Sequence, residues 1–401
     1  MAATGVALAL AGGCLTVSAP VSVAAPRAGV ANGIVRGALF GPQVSLDTPG
    51  GRAVLEWKLT RLDVSVSATL RHTRTGETKT VSLEPPTRGD DGIVRARMNW
   101  SGLLDSGDRA FNGAYTWSLR VTPYGGQATT ATGSFTVVRK PRLHDFDDNG
   151  SPDLLARNSG GKLEHYSSNI TQIAPQMTGY RTAVGLGWEA YDRVEVAGNV
   201  AGASHPDLLA RDKSGVLWLY QGNGRTGFAT RVRVGSGWNA YDKLAGGSDL
   251  TGDGRADLLA TDKSGVLWLY KGTGSATSPF ATRTRIGGGW GVYNDLSATG
   301  NLVGTAAGDL LARDRSGVLW LYQGNGSGGF TARTQVGGGW GSYRHVTGIG
   351  DADNDGRADV FAVDSTGTTY LYKSTGTTTG LFKPRTKTGM VFSASAYNHV
   401  T

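Results

Sequence analysis

Asp249-Leu-Thr-Gly-Asp-Gly-Arg-Ala-Asp257 recurs twice more in this 401-residue chain, as Asp145-Phe-Asp-Asp-Asn-Gly-Ser-Pro-Asp153 and Asp351-Ala-Asp-Asn-Asp-Gly-Arg-Ala-Asp359. Each copy places oxygen-bearing side chains at positions 1, 3, 5 and 9 and glycine at position 6, then enters an apolar run such as Leu258-Leu259-Ala260. A flexible cage of oxygens suits calcium, and the glycine permits the sharp turn that gathers the ligands. An EF-hand would need a carboxylate at position 12, where this chain has Ala156, Ala260 or Ala362. The residues that follow alternate as strands do, so the pattern is an aspartate loop feeding a sheet.

The ninth residue of the loop marks a repeat. Asp153, Asp207, Asp257, Asp309 and Asp359 are spaced by 54, 50, 52 and 50 residues, and Tyr191, Tyr241, Tyr293, Tyr343 and Tyr397 by 50, 52, 50 and 54. A period near 50 points to propeller blades or another repeat array. The best copies, units two, three and four, read Asp-Leu-Leu-Ala, a Ser-Gly turn, Val-Leu-Trp-Leu-Tyr (as at 216–220), a Gly-rich loop, an alternating Thr/Arg/Val segment and Gly-x-Gly-Trp-x-x-Tyr. That is four short strands between turn signals, with no helical period in 141–401. Val216, Trp218 and Tyr220 face one way and Leu217 and Leu219 the other, so both faces require cover. Blades stacked between neighbours supply it. The predicted fold is all-β, a five-bladed β-propeller over 139–401. Tyr397-Asn-His-Val-Thr401 stands where the first unit lacks a strand, and it is expected to complete that blade.

Units two and four depart from the loop pattern. Their counterparts, 198–207 and 300–309, keep Asn or Asp only at positions 1 and 9, so cation sites are expected to alternate in units one, three and five. By carboxylate count, unit five should bind most tightly.

Ahead of the repeats, residues 30–138 alternate at Val54–Leu59, Val64–Leu70, Tyr115–Val121 and Gly133–Val138. Turn clusters separate these runs, which predicts an Ig-like β-sandwich of six to eight strands. Residues 1–25 are almost wholly small or apolar and end in Val-Ala-Ala before Pro26, as a signal peptide does. Gly and Ser interrupt the run, which argues against a membrane anchor. The single cysteine, Cys14, falls inside it. Secretion is therefore the expected destination. Net charge is +8, carried mostly before the repeats, with no basic block of the kind a nucleic-acid partner needs.

The loop motif, repeated with Gly-Asn-Gly and Leu-Trp-Leu-Tyr, resembles the FG-GAP/VCBS repeat family, found also in integrin α-chain propellers and some lectins. The resemblance implies three calcium ions. One would be held by Asp145, Asp147, Asn149 and Asp153, one by Asp249, Thr251, Asp253 and Asp257, and one by Asp351, Asp353, Asp355 and Asp359. The segment from Gly113 to Val138 is similar to Ig-like domains of the flagellar hook-cap type.

Trp188, Trp238, Trp290 and Trp340 each lie three residues before a tyrosine in Gly-rich surroundings, and there they can either stack on sugar rings or pack between blades. The in-strand set, Trp218, Trp268 and Trp320, reads as core. Gly222-Asn-Gly-Arg-Thr-Gly227 and Gly324-Asn-Gly-Ser-Gly-Gly329 match a dinucleotide fingerprint but lie between strands with no following helix, so that reading fails. No Gly-x-Ser-x-Gly occurs, and the six histidines show no metal-ligand spacing. The sequence thus predicts a secreted, monomeric, non-enzymatic protein that binds a glycan or cell-surface polymer. A protein-interaction scaffold is the alternative, and a secreted hydrolase the third.

Overall fold

The computed structural model describes residues 33–48, 51–170, 175–176, 181–202 and 205–401. The expected leader, with Cys14, lies outside the described residues. Among them, no helix is long and apolar enough to cross a membrane.

The N-terminal part consists of two sheets. One runs in the order Val35–Ala38, Ala53–Leu59, Val94–Trp100, Thr87–Arg88; the other runs Gln43–Ser45, Thr129–Val138, Gly113–Pro123, Val64–His72, Thr78–Ser82. Period-two patterning aims their apolar residues inward: Val64, Val66, Ala68 and Leu70 are buried, whereas Ser65 is exposed. Leu55, Trp57 and Leu59 of the first sheet and Leu70, Trp117 and Leu119 of the second belong to one core. Trp57 meets Trp117 edge-on at 5.8 Å between ring centroids. The nine strands exceed the six to eight expected. Val35–Ala38, Gln43–Ser45 and Thr87–Arg88 are short edge segments without apolar alternation, and they form by pairing with longer neighbours.

The repeat region forms five four-stranded antiparallel sheets. Sheet two shows the plan, in the order Tyr191–Gly198, Asp207–Asp212, Leu217–Tyr220, Val232–Gly235. Sheets three, four and five repeat it from Tyr241, Tyr293 and Tyr343. Sheet one takes its first strand from the other end of the chain. Tyr397–Val400 pairs antiparallel with Leu154–Asn158, with Val400 opposite Ala156 and His399 opposite Arg157. The first strands line a cavity of about 280 Å³, to which they contribute Arg193, Lys243, Asp295, His345 and His399, one from each sheet. Close approach there requires glycine: a Cβ on Gly348 would stand 2.4 Å from the Thr299 Cα.

Five apolar clusters fill the spaces between neighbouring sheets, including one shared by sheets five and one through Phe361, Leu371, Leu154 and Val400. Arginines add directional ties. Arg157 donates to the carbonyls of Trp188 (3.0 Å) and Tyr191 (2.7 Å). Arg211 does the same to Trp238 and Tyr241, and Arg313 to Trp340 and Tyr343. Arg344 of sheet five reaches the carbonyls of Phe392 and Tyr397.

Deleting residues 397–401 would expose the unpaired edge of Leu154–Asn158 and open one of the five clusters. The expected result is a lower melting temperature and self-association on size-exclusion chromatography. A truncated protein that stays monomeric with an unchanged melt would contradict this account of the closure.

Candidate functional site

The five nonapeptide loops lead into the second strand of each sheet, in sheets two to five from the first strand, and the aspartate at position 9 anchors all of them. Asp309 accepts from the N–H groups of Leu302 (2.9 Å) and Val303 (3.0 Å) with one oxygen and Gly324 (3.0 Å) with the other. Asp207 and Asp257 repeat this pattern. Asp153 and Asp359 keep one bond on each oxygen. All five are essentially inaccessible to solvent. This explains why units two and four retain position 9 after losing the carboxylates at 3 and 5: the residue stitches each loop to the turn after the third strand.

In loops one, three and five, positions 4 and 6 adopt left-handed backbone. Position 6 is Gly150, Gly254 and Gly356, while position 4 is Asp148 (φ 66°), Gly252 (φ 74°) and Asn354 (φ 60°). Asp and Asn are the side-chain-bearing residues that best tolerate that region. The turn wraps the loop around its first aspartate. Asp145 accepts from Gly150 N–H (2.9 Å), Asp249 from Gly252, Asp253 and Gly254, and Asp351 from Asp355 and Gly356.

Each of these loops also carries a buried oxygen without a hydrogen-bond partner: Asp145 Oδ1, Thr251 Oγ1 and Asp353 Oδ1. A buried polar atom left unpaired costs about 1–3 kcal/mol, so one such atom in each loop fits a cation. The donor sets differ. Asp351, Asp353 and Asp359 offer ligand atoms within 4.8 Å of one another, as do Asp147, Asp153 and His165. Loop three is looser, because Thr251 replaces a carboxylate and Asp253 pairs with Arg255 at 3.0 Å. In loop five, Lys373 stands 3.2 Å from Asp353 and Lys383 3.3 Å from Asp355, and both offset the carboxylate charge. Asn149 turns its amide nitrogen to Ser168 O (2.9 Å) and accepts from Ser151 N–H (2.7 Å) on Oδ1.

Loop one is buried throughout, whereas loop three exposes residues 252–255 and loop five exposes Asp355 and Gly356. The N-terminal sandwich covers loop one. Asn112 N–H donates to Asp148 O (2.7 Å), Arg109 to Gly150 O (3.0 Å), and Arg74 to the neighbouring Gly224 O (2.9 Å). Burial, followed by the charges of Asp147 and Asp148, pushes the Asp145 carboxyl up to about 7, and burial with Asp153 does the same to Asp147. Burial pushes Asp359 up to about 8. A divalent ion would relieve both desolvation and repulsion. The histidine spacing rule missed His165, which joins the cluster through strand register and not through a local motif.

Of the two arrangements open to the first tryptophan set the structure shows packing, while the in-strand set, expected in the core, is only partly buried. Trp188, Trp238, Trp290 and Trp340 are buried and begin short 3-10 turns, each preceded by a glycine at φ between 83° and 90°. Sequence periodicity gives no sign of so short a turn. Trp188 packs on Tyr220 (4.9 Å) and Tyr191 (5.5 Å), and the other three repeat this. The in-strand set is only half-buried, and it faces the arginine that immediately precedes the fourth strand. Arg231, Arg283 and Arg333 lie over Trp218, Trp268 and Trp320 at 4.0–4.1 Å, and Arg385 over Tyr370 at 4.2 Å. Each arginine also donates to the hydroxyl of Tyr191, Tyr241, Tyr293 or Tyr343. Between sheets one and two, a cavity of about 320 Å³ opens on this group, lined by Leu186, Trp188, Tyr191, Tyr220, Phe228 and Arg231 among others.

Residues 307–362, spanning the loop end of unit four to the second strand of unit five, match the model of the FG-GAP-like repeat and support that repeat family. No curated protein matches the sequence. The chain is similar to a lectin structure from Agrocybe aegerita described as recognising non-reducing terminal N-acetylglucosamine. Identity is 17%, covering 84% of this chain and 94% of that one, with a TM-score of 0.36. It is similar also to the BP39L lectin from Burkholderia pseudomallei, at 12% identity over 82% and 99% with a TM-score of 0.38. A protein of unknown function from Bacteroides caccae matches at 13% identity over 59% and 73%, with a TM-score of 0.30.

Replacing Asp309 by Ala would leave three buried N–H groups unpaired in a loop without the cation pattern. A loss of about 3–5 kcal/mol is expected in urea unfolding, equal with and without chelator. A loss below about 1 kcal/mol would show that the anchor carries little.

Proposed function

We propose that this chain is a secreted, non-catalytic glycan-binding protein: a five-bladed β-propeller, stabilised by divalent cations in its aspartate loops, behind an Ig-like sandwich. The observation that carries the binding role is the repetition of one aromatic–arginine group whose arginine reaches the surface. Tryptophan, two tyrosines and an arginine recur at four equivalent places, and a cavity opens on one of them. Aromatic rings offer apolar faces to sugar C–H groups, while tyrosine hydroxyls and guanidinium N–H groups hydrogen-bond sugar hydroxyls. The cavity is at the small end of ligand pockets, suited to one or two sugar rings. Repeated weak sites suit a polymer or a crowded cell surface, because avidity multiplies modest affinities.

The cations act on the fold. Calcium in loops three and five binds only the folded state, so it adds stability in proportion to its occupancy. The unpaired Thr251 and Asp353 oxygens and the Asp351, Asp353, Asp359 cluster support this role.

Two experiments test the reading. On a glycan array, the protein is expected to retain a defined glycan class. Arg231→Ala, Arg283→Ala and Arg333→Ala, combined in turn, should weaken surface binding stepwise, and an array without any bound glycan would refute the ligand class. Separately, chelation should lower the melting temperature by about 5 °C, with recovery on adding calcium. An identical melt in both conditions would remove the structural role of the ions.

A further inference from the structure

His165 occupies a position that the other four sheets give to a core aliphatic residue. Strand register places it opposite Leu155, just as Leu219, Leu269, Leu321 and Leu371 stand opposite Leu209, Leu259, Leu311 and Phe361. Those four leucines are at most 1% exposed, and His165 is 0% exposed. An imidazole there brings two polar nitrogens into an apolar layer; Nδ1 has no partner, and Nε2 has only its contact with Asp153. Its Nε2 lies 2.9 Å from Asp153 Oδ2, an oxygen already accepting from Phe146 N–H. Asp147 completes a group whose ligand atoms all lie within 4.8 Å of one another. Ser167 holds Asp147 through a hydroxyl donated to Oδ2 at 2.7 Å.

The geometry points to a transition-metal site of the Zn²⁺ class in loop one, with His165 Nε2, Asp153 and Asp147 as ligands, in place of the calcium that the loop pattern alone suggests. Two arguments converge. Calcium takes oxygen donors, whereas an imidazole with carboxylates suits zinc and its neighbours. The buried, unpartnered Asp145 Oδ1 leaves a further oxygen in the same loop. Loops three and five have leucine at the corresponding strand position, so this preference belongs to loop one alone. The inference shares with the reading above only the premise that this loop holds a cation.

The test uses the full chain, stripped with chelator and reloaded with Zn²⁺ in the presence of excess calcium. Metal is then counted by mass spectrometry. One retained equivalent of zinc is expected, with a Co²⁺-substituted protein showing visible d–d absorption. His165→Leu, the residue of the other four sheets, should lose that equivalent and the cobalt spectrum while keeping its calcium. Asp147→Asn should also lose the zinc equivalent, which guards against a folding artefact of the first variant. The inference is overturned if the parent protein retains no zinc, or if His165→Leu retains as much as the parent. Calcium counted in the same samples reports on loops three and five separately, so a failure of the calcium reading would leave the zinc result interpretable.

Discussion

A buried carboxylate that accepts backbone N–H groups from two directions is the interaction on which the repeat region depends. The loop that leads into the second strand of each sheet leaves N–H groups pointing inward with no strand partner. The turn after the third strand leaves another. One aspartate satisfies both, and it does so in every unit, whatever else the loop has lost. The cost of burying the charge is visible in the raised pKa values of Asp207 (about 6) and Asp359 (about 8), for which burial is the first cause. The hydrogen bonds offset that cost, and the loop is fixed as a consequence.

Function is layered on this frame by substitution at positions the frame leaves free. Positions 3 and 5 either carry oxygens or do not, and the loop closes in both cases. The tryptophan, tyrosine and arginine group uses residues that the sheets already need for packing against one another. Its inner rings belong to the inter-sheet cores and its outer arginine to the surface, so core and candidate binding surface are continuous.

Much of this was legible in the residues. The near-50-residue period, the two-faced Leu-Trp-Leu-Tyr strands and the stray terminal strand at Tyr397 anticipate five sheets, because all three depend on local alternation. Burial of loop one was not legible. It depends on Asn112 and Arg109 arriving from a separate part of the chain, and no pattern within 145–153 encodes their approach. The partial exposure of the in-strand tryptophans was hidden for a related reason: Arg231 lies 13 residues after Trp218, and only the pairing of the third and fourth strands lays one over the other. His165 is the instructive case. Aligning Leu-Glu-His-Tyr at 163–166 with Leu-Trp-Leu-Tyr at 217–220 exposes it at once as the unit that breaks the rule. A search for linear metal motifs passes it by, because its partners lie in a loop some twelve residues earlier.

The pairing of Val400 with Ala156 has a temporal side. Sheets two to five are built from contiguous stretches, so each can assemble soon after its own residues are made. Sheet one must wait for a segment more than two hundred residues downstream. Until then the nascent array carries an open seam, and its sealing is the step of longest sequence separation and greatest entropic delay. The order in which the protein is synthesised therefore makes its first sheet the last to mature.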